Sequence, residues 1–316
     1  MATVASLGET DLIRRVIAPL LKAGESSNKP AGWKLRQGIG DDAAVLSPPA
    51  GRDLLFASDM LVEGVHFRRN VLPAKWIGWK ALARNISDIA AMGGRPVAAV
   101  VSLGAPGGTD ARLIRGIYQG LASCARYFRM AIVGGDTTKA AAIVVDVSIL
   151  GDVASGKAVL RSGVRPGDAL FVTGSLGNSY ASGRHARFVP RVAEAQAVLR
   201  RLPIHGMIDL SDGLASGLRL LSQASRVRLS VDLAAVPLAR GARSVEQAMN
   251  EGEDFELLFA VSGRLAGRVP RMIGRVPIMR IGQAARGQGV RCLDDRGKTV
   301  PLPGRGFEHF SARERS

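Results

Sequence analysis

In a chain with a formal charge of +16, the aspartates and glutamates do not scatter evenly. Many stand in short runs flanked by glycine or serine, beside apolar stretches of strand length. The runs are Gly38-Ile39-Gly40-Asp41-Asp42, Ser58-Asp59, Ser87-Asp88, Gly134-Gly135-Asp136, Asp209-Leu210-Ser211-Asp212-Gly213 and Gly252-Glu253-Asp254. Carboxylates at strand ends, with glycines that let the backbone approach, are how α/β proteins hold hard cations and phosphates. The pattern therefore expects a fold that brings strand ends from both halves of the chain to one crevice.

The stretches between these runs alternate in character. Residues 10–22 read as a helix kinked in its last turn by Pro19. Residues 54–58 predict a strand running into Asp59, and 76–92 a helix stopped by Gly93, Gly94 and Pro96. Residues 97–103 predict an apolar strand, 110–129 a helix, 131–133 a short strand before Gly134, and 143–150 a β-branched strand. Gly156, Gly163, Pro166 and Gly167 then punctuate a domain boundary. Beyond it, residues 169–173 predict a strand and Gly174-Ser175-Leu176-Gly177 a turn into a helical region. Residues 207–210, 214–224 and 255–261 read as strand, helix and strand. This order predicts an α/β fold of the α+β type in two domains, residues 1–152 and 153–316. A length of 316 residues agrees with two cores rather than one.

Composition excludes several classes. With 47% hydrophobic and 22% charged residues, the chain is globular and not disordered. No apolar run is long enough to cross a bilayer, and the first ten residues carry no secretory pattern. Cys124 and Cys292 give neither a disulfide framework nor a zinc spacing, which fits a reducing cytoplasm. A sequence pI near 11.0 raises a nucleic-acid partner as one reading. Against it, the 35 arginines and 8 lysines form no continuous basic block, and aromatics are only 5%, few for stacking bases. A solvated basic surface that steers anionic substrates fits better.

Each acidic run also has an ordinary alternative. Asp41 and Asp42 can be turn residues, and Ser211 or Asp212 can cap the following helix. Asp88 lies among Ile86, Ile89, Ala90, Ala91 and Met92, where a lone carboxylate is costly unless paired or metal-bound. Arg84, four residues earlier, offers an intrahelical pair, and Asn85 shares that side. Residues 151–158 approach a phosphate-cradling G-x-x-x-x-G-K loop, but no hydroxyl residue closes it, no helix can follow, and Asp152 puts a negative charge in the cradle. Gly38 to Ala43 fits G-x-G-x-x-A, yet Asp41 and Asp42 would face a pyrophosphate. The four histidines have no metal spacing; His66, just after the Asp59 run, is the one best placed to face a site. Several carboxylates meeting without cations would repel one another by ~4 kcal/mol per pair at ~4 Å. Divalent ions relieve that repulsion and the repulsion of an added triphosphate together.

Taken in order, these motifs resemble the thiamine-monophosphate kinase family. That family belongs to the ATP-binding superfamily of aminoimidazole ribonucleotide synthetase, selenophosphate synthetase and a hydrogenase maturation protein. The resemblance runs through Leu7-Gly8-Glu9, GIGDDAAVL (38–46), SDMLVEGVHF (58–67), WKALARNISDIAAMGG (79–94), GGDTT (134–138), LRSGVRPGDALFVTGSLG (160–177), MIDLSDGLA (207–215), GEDFELLF (252–259) and GFEHF (306–310). It implies transfer of the γ-phosphoryl of ATP to thiamine monophosphate, with several Mg²⁺ ions. It also implies two domains, each a mixed sheet packed with helices, and N-terminal sheets that pair across a homodimer. Carried onto matching positions, Asp42, Ser58, Asp59, Asp88, Asp136, Asp209 and Asp212 would hold metal. Tyr118, Gly135, Asp136, Arg161 and Ser211 would contact ATP, and His66, Glu253 and Phe307 the thiamine phosphate. Asp136, Asp212 and Arg161 would carry the catalytic charge stabilisation.

Three positions depart from the pattern. Ala57 stands where a hydroxyl residue is common, Arg84 where a small apolar residue is usual, and Gly217 where the family often has Asp. Two other functions remain as alternatives. One is a different ATP-dependent enzyme of the superfamily, although no cysteine precedes Gly38 as selenophosphate synthesis usually requires. The other is a basic anion or nucleic-acid binder without catalysis, marked by salt-sensitive affinity for generic DNA.

Overall fold

The computed structural model describes residues 3–25, 32–37, 44–304 and 306. It separates into two compact units: Met1–Ile89 with Gly94–Ala158, and Ala90–Gly93 with Val159–Ser316.

The first unit contains α1 (Val4–Asp11), a π-helical turn (Leu12–Ile17), α2 (Ala18–Glu25), β1 (Lys34–Gln37), β2 (Val45–Ser47) and β3 (Arg52–Val62). Then follow α3 (Ala74–Ala91), β4 (Arg95–Ala105), α4 (Ala111–Tyr127), β5 (Ala131–Lys139) and β6 (Val144–Ala154). Strands β3-β6-β4-β5 form one sheet, with β4 and β5 parallel and the other pairs antiparallel. Strands β1 and β2 make a separate antiparallel ribbon. The alternation of side chains along β3 sets the sheet's two sides. Leu55 and Leu61 are buried, while Leu54, Phe56 and Met60 are exposed. Helix α4 buries a stripe of Ile114, Ile117, Tyr118, Leu121, Cys124 and Ala125, the three-to-four spacing of a one-sided helix. Its N-cap, Asp110, accepts from the Arg112 backbone N–H at 2.8 Å. Helices α3 and α4 meet backbone to backbone through glycine: a Cβ at Gly120 would lie 1.9 Å from the Lys75 carbonyl oxygen.

Asp152 of β6 is the polar hub of this unit. It is wholly buried and accepts from Trp33 Nε1 (2.6 Å), Arg52 (2.6 Å) and Arg95 through both Nε (2.6 Å) and a terminal nitrogen (3.0 Å). Burial pushes its carboxyl up, but the bonds from Arg95, Arg52 and Trp33 outweigh that and hold it at about 2. The G-x-x-x-x-G-K segment is therefore no phosphate loop: Gly151 and Asp152 lie inside β6.

The second unit contains β7 (Asp168–Thr173), α5 (Val192–Leu199), β8 (Gly206–Asp209), α6 (Leu214–Ser225), β9 (Arg228–Asp232), α7 (Val245–Asn250), β10 (Leu257–Ser262), β11 (Met272–Ile273), β12 (Val276–Ala285), β13 (Gly289–Leu293) and β14 (Thr299–Val300). Its sheet runs β14-β13-β9-β12-β7-β10-β8, with β11 beside β12; β13 and β9 are parallel, and the other described strand pairs are antiparallel. Both faces are covered. Leu170 and Val172 of β7 join Leu214, Leu218 and Leu221 of α6 in one core. Ala169 and Phe171 join Val198 of α5 and Leu202 in another. Strands buried on both faces read as unbroken apolar runs, which is why β7 and β10 are plain in the sequence.

Several elements differ from the sequence expectation. Pro19 falls at the second residue of α2, directly after a π-helical turn at Leu12–Ile17, so the irregularity expected in the last helical turn lies before the proline, where the helical path widens. Strand β3 continues through Ser58 and Asp59, and β5 through Gly134, Gly135 and Asp136, so these runs are strand interior and not turns. Residues after Gly177 form turns and a short 3₁₀ segment, Arg184–Ala186, and helix resumes only at Val192.

Candidate active site

In the first unit, the pleat separates two neighbouring candidates. Ser58 lies on the exposed side of β3 with Phe56 and Met60, and Asp59 on the side of Leu55 and Leu61. The Ser58 hydroxyl is 3.2 Å from Ser148 Oγ and 3.2 Å from the Val147 carbonyl oxygen, to which it donates. It also lies 3.4 Å from Asp146 Oδ1. Strand register puts Met60, Asp146, Ser102 and Asp136 in one row across the four strands. Asp146 is thus a carboxylate of this face that sequence reasoning missed, because Val145-Asp146-Val147 reads as plain alternation.

Asp136 is exposed, and its Oδ1 accepts from the Thr137 N–H at 2.8 Å. Tyr118 is buried close enough to feel this carboxylate; burial first, and then the charge of Asp136, push its phenol well above its usual range. At Gly135 a Cβ would stand 1.9 Å from the Val101 carbonyl oxygen, so the strand pair closes only with glycine there. Asp59 makes an ion pair with Arg84 Nε at 3.4 Å, so Arg84 has a partner on β3. Asp88 is half-buried on α3. His66 accepts the Val62 N–H at Nδ1 (3.1 Å), which puts the proton of its neutral ring on Nε2. The wholly buried Lys80 donates to the His66 carbonyl oxygen at 2.9 Å and fixes that loop.

In the second unit, the candidates gather on the segments 209–213 and 251–256. Asp209 ends β8 and is buried; Ser211 and Asp212 are half-buried. The N-cap of α6 is Gly213, so neither Ser211 nor Asp212 is the cap. The Ser211 carbonyl accepts from the Glu253 N–H (2.6 Å), and the Leu210 carbonyl from the Phe255 N–H (3.0 Å). Glu253 and Phe255 both hold left-handed backbone, φ 62° and 51°. Such strain costs of order 1 kcal/mol each and is kept only where the surroundings overdetermine it. Here Phe188 stacks on Phe255 at 3.9 Å and Ser179 Oγ donates to the Glu253 carbonyl at 2.7 Å. The Glu253 carboxylate lies 3.3 Å from His185 Nδ1, and His185 stacks on Tyr180 at 4.4 Å.

The neighbouring carboxylates serve the scaffold. Asp254 pairs with Arg184 and accepts from the Gly177 N–H; burial raises it to about 7 against the pull of both donors. Glu256 takes a bidentate grip from Arg191 (2.6 and 2.5 Å) and the Thr173 hydroxyl (2.7 Å). Sequence reasoning missed Arg184 and Arg191, whose surroundings carry no local motif. Arg161 is exposed in a 3₁₀ turn, its carbonyl accepting from Ser225 Oγ at 2.6 Å. At Gly217 a Cβ would come 2.7 Å from Leu210 Cδ2, so an aspartate there would have to displace core. Asp42 and Phe307 lie outside the described residues.

Among the described residues, no three carboxylates, imidazoles or thiols stand close enough to enclose a metal ion. The donors are nonetheless of the kind Mg²⁺ prefers. They are all oxygen, and near them in sequence the Asn85 Oδ1 and Thr137 Oγ1 atoms are buried without hydrogen-bond partners among the described residues. An open carboxylate set of this kind suits an ion that completes its shell with water and substrate phosphates.

The comparisons with known proteins define first a class. Residues 40–153 match the family model "AIR synthase related protein, N-terminal domain". At the level of whole chains, the thiamine-monophosphate kinase of Rhodopirellula baltica is 35% identical over 270 residues, 80% of this chain and 84% of that protein. The crystal structure of the thiamine-monophosphate kinase of Stenotrophomonas maltophilia K279a aligns with a TM-score of 0.78 at 30% identity, covering 90% of this chain and 97% of that one. The structure of AaThiL complexed with AMPPCP and TMP aligns with a TM-score of 0.73 at 28% identity, covering 98% and 99%. The chain belongs to the thiamine-monophosphate kinase family.

Proposed function

We propose that this protein transfers the γ-phosphoryl group of ATP to the phosphate of thiamine monophosphate, giving thiamine diphosphate and ADP. The observation that carries the reading is likeness over nearly the full chain to a protein complexed with AMPPCP and TMP, a γ-phosphate nucleotide analogue and an acceptor. The acceptor phosphate oxygen is already a competent nucleophile, so the site needs positioning and charge neutralisation more than a base. Bound Mg²⁺ would supply the charge that lets two polyanions touch. The residues proposed to ligate such ions are Asp42, Ser58, Asp59, Asp88 and Asp136 in the first unit, where Ser58 and Asp59, on opposite sides of β3, would serve different ions, and Asp209 and Asp212 in the second.

The remaining groups have matching tasks. Tyr118, Gly135 and Ser211 fit the nucleotide, and the exposed guanidinium of Arg161 fits its phosphates, as five N–H donors suit phosphoryl oxygens. His66, with its proton on Nε2, is a hydrogen-bond donor to the thiamine phosphate and not a base. Glu253, on its fixed left-handed backbone, and Phe307 complete the acceptor contacts. With Cys124 and Cys292 unpaired and buried, and no described helix long and apolar enough to span a membrane, we place the enzyme in the cytoplasm.

Purified protein supplied with ATP, MgCl₂ and thiamine monophosphate is expected to form thiamine diphosphate and ADP in equal amounts. ATP consumption without thiamine diphosphate would end this reading.

We also propose a homodimer formed through the open side of the β3-β6-β4-β5 sheet. Leu54, Phe56, Met60 and Val100 are exposed on one unit, with Phe56 at 77%, more apolar surface than a lone sheet face carries without a partner. Phe56→Lys is expected to shift the species in multi-angle light scattering from two chains to one. A wild-type monomer at micromolar concentration would overturn the assignment.

A further inference from the structure

Among the described residues of the first unit, three ion pairs involve arginines no more than 35% exposed, and one of them is unlike the other two. Arg95 grips Asp152 through two nitrogens at 2.6 and 3.0 Å, and Arg52 adds a third bond at 2.6 Å. Arg84 meets Asp59 only at 3.4 Å. Its Nε and one terminal nitrogen are buried without a hydrogen-bond partner among the described residues. Arg52 also leaves its Nε unpartnered, but it holds Asp152 through a terminal nitrogen at 2.6 Å; Arg84 leaves two donors unfilled, which is costly when buried, and reaches its carboxylate only at 3.4 Å. Arg84 has the arrangement of a counter-ion: a permanent charge, with a side chain 12% exposed, set beside a carboxylate 33% exposed.

We propose that Arg84 is a built-in cation of the phosphoryl-transfer site that competes with a divalent ion for Asp59. The inference rests on the reading of Asp59 as a metal ligand. Two positive centres on one carboxylate repel, and desolvation strengthens that repulsion over its value in water. Asp59 is therefore partly neutralised before any metal arrives, and the protein takes up divalent ions there more weakly than the carboxylate alone would allow. The arginine cannot relieve the conflict by losing its proton, since a guanidinium stays charged in proteins.

The test is Mn²⁺ binding to metal-stripped protein without substrates, followed by electron paramagnetic resonance of the free ion. Arg84→Met, similar in length and uncharged, is expected to bind Mn²⁺ at least tenfold more tightly than wild type or to take up one additional ion per chain. Arg84→Lys keeps the charge and should stay near wild type. Adding Asp59→Asn to Arg84→Met should remove the gain. Unchanged Mn²⁺ binding in Arg84→Met overturns the proposal, and so does a gain that survives Asp59→Asn. Should Arg84→Met fail to fold, Arg84→Gln reads the same difference. The outcome is separable from the proposed activity. Wild-type protein that makes thiamine diphosphate while Arg84→Met binds metal unchanged refutes this inference alone. Wild-type protein without turnover whose Arg84→Met variant gains Mn²⁺ refutes the activity alone.

Discussion

Asp136→Asn is expected to lower the rate of thiamine diphosphate formation at saturating substrates by about a thousandfold, while leaving the fold intact. One charge at ~4 Å in a semi-polar site is worth ~4 kcal/mol, and each 1.4 kcal/mol is about a factor of ten. Asparagine keeps the Oδ1 acceptor for the Thr137 N–H, so the local backbone loses nothing it needs. Asp136 is exposed, so the substitution leaves no cavity. Asp212→Asn should fall similarly, because it removes the same charge from a proposed ligand of the second unit. Excess Mg²⁺ should recover part of either loss, since a carboxamide oxygen still ligates, only more weakly. Circular dichroism before and after substitution checks the fold. If both variants keep wild-type turnover, the metal roles given to these residues are wrong.

Asp152→Asn is expected to act the other way, costing about 3–5 kcal/mol of stability, the usual loss when one partner of a buried ion pair is removed. For a unit of this size that is roughly 10 °C in Tm. The variant leaves Arg52 and Arg95 without their shared carboxylate and weakens the tie to Trp33. The pH dependence follows from the sign of the shift. The folded carboxyl is held at about 2, below its ordinary value of 3.8. A depressed carboxyl stabilises the fold fully above the unfolded value, by about 2 kcal/mol here, and loses that as pH falls toward the folded one. Urea titrations should therefore show a wide gap between wild type and variant at neutral pH that narrows below about pH 4. A gap of constant width down to pH 2 would show that charge is not what Asp152 contributes.

Periodicity recovered the elements that are apolar on both faces or strongly one-sided. Helices α3 and α4 and strands β4, β6, β7 and β10 lie where the sequence puts them, with ends moved by a few residues, because burial alone decides such segments. The long β12 was not legible: Arg280, Gly282 and Gln283 interrupt its apolar residues, and its place depends on pairing with β7 and β9. The Asp59 and Asp136 runs were legible as candidates but not as strand interior. Glycine and aspartate are poor strand formers, and only the neighbours in the ladder hold them extended. The glycine at 135 is required by the closeness of Val101, a contact that no local pattern reveals.

The amino-acid sequence by itself determined the family, the two-unit α/β plan and the kinds of residue in the site, since these depend on residue type and order along the chain. The tertiary structure decided the partners. It put Ser58 and Asp59 on opposite sides of one strand, gave Asp59 to Arg84, buried Asp152 among two arginines and a tryptophan, and aimed Glu253 by a left-handed turn. Those outcomes depend on which distant segments meet, and the energy of a carboxylate is set by the charges and donors within a few ångströms of it, whatever their distance in sequence.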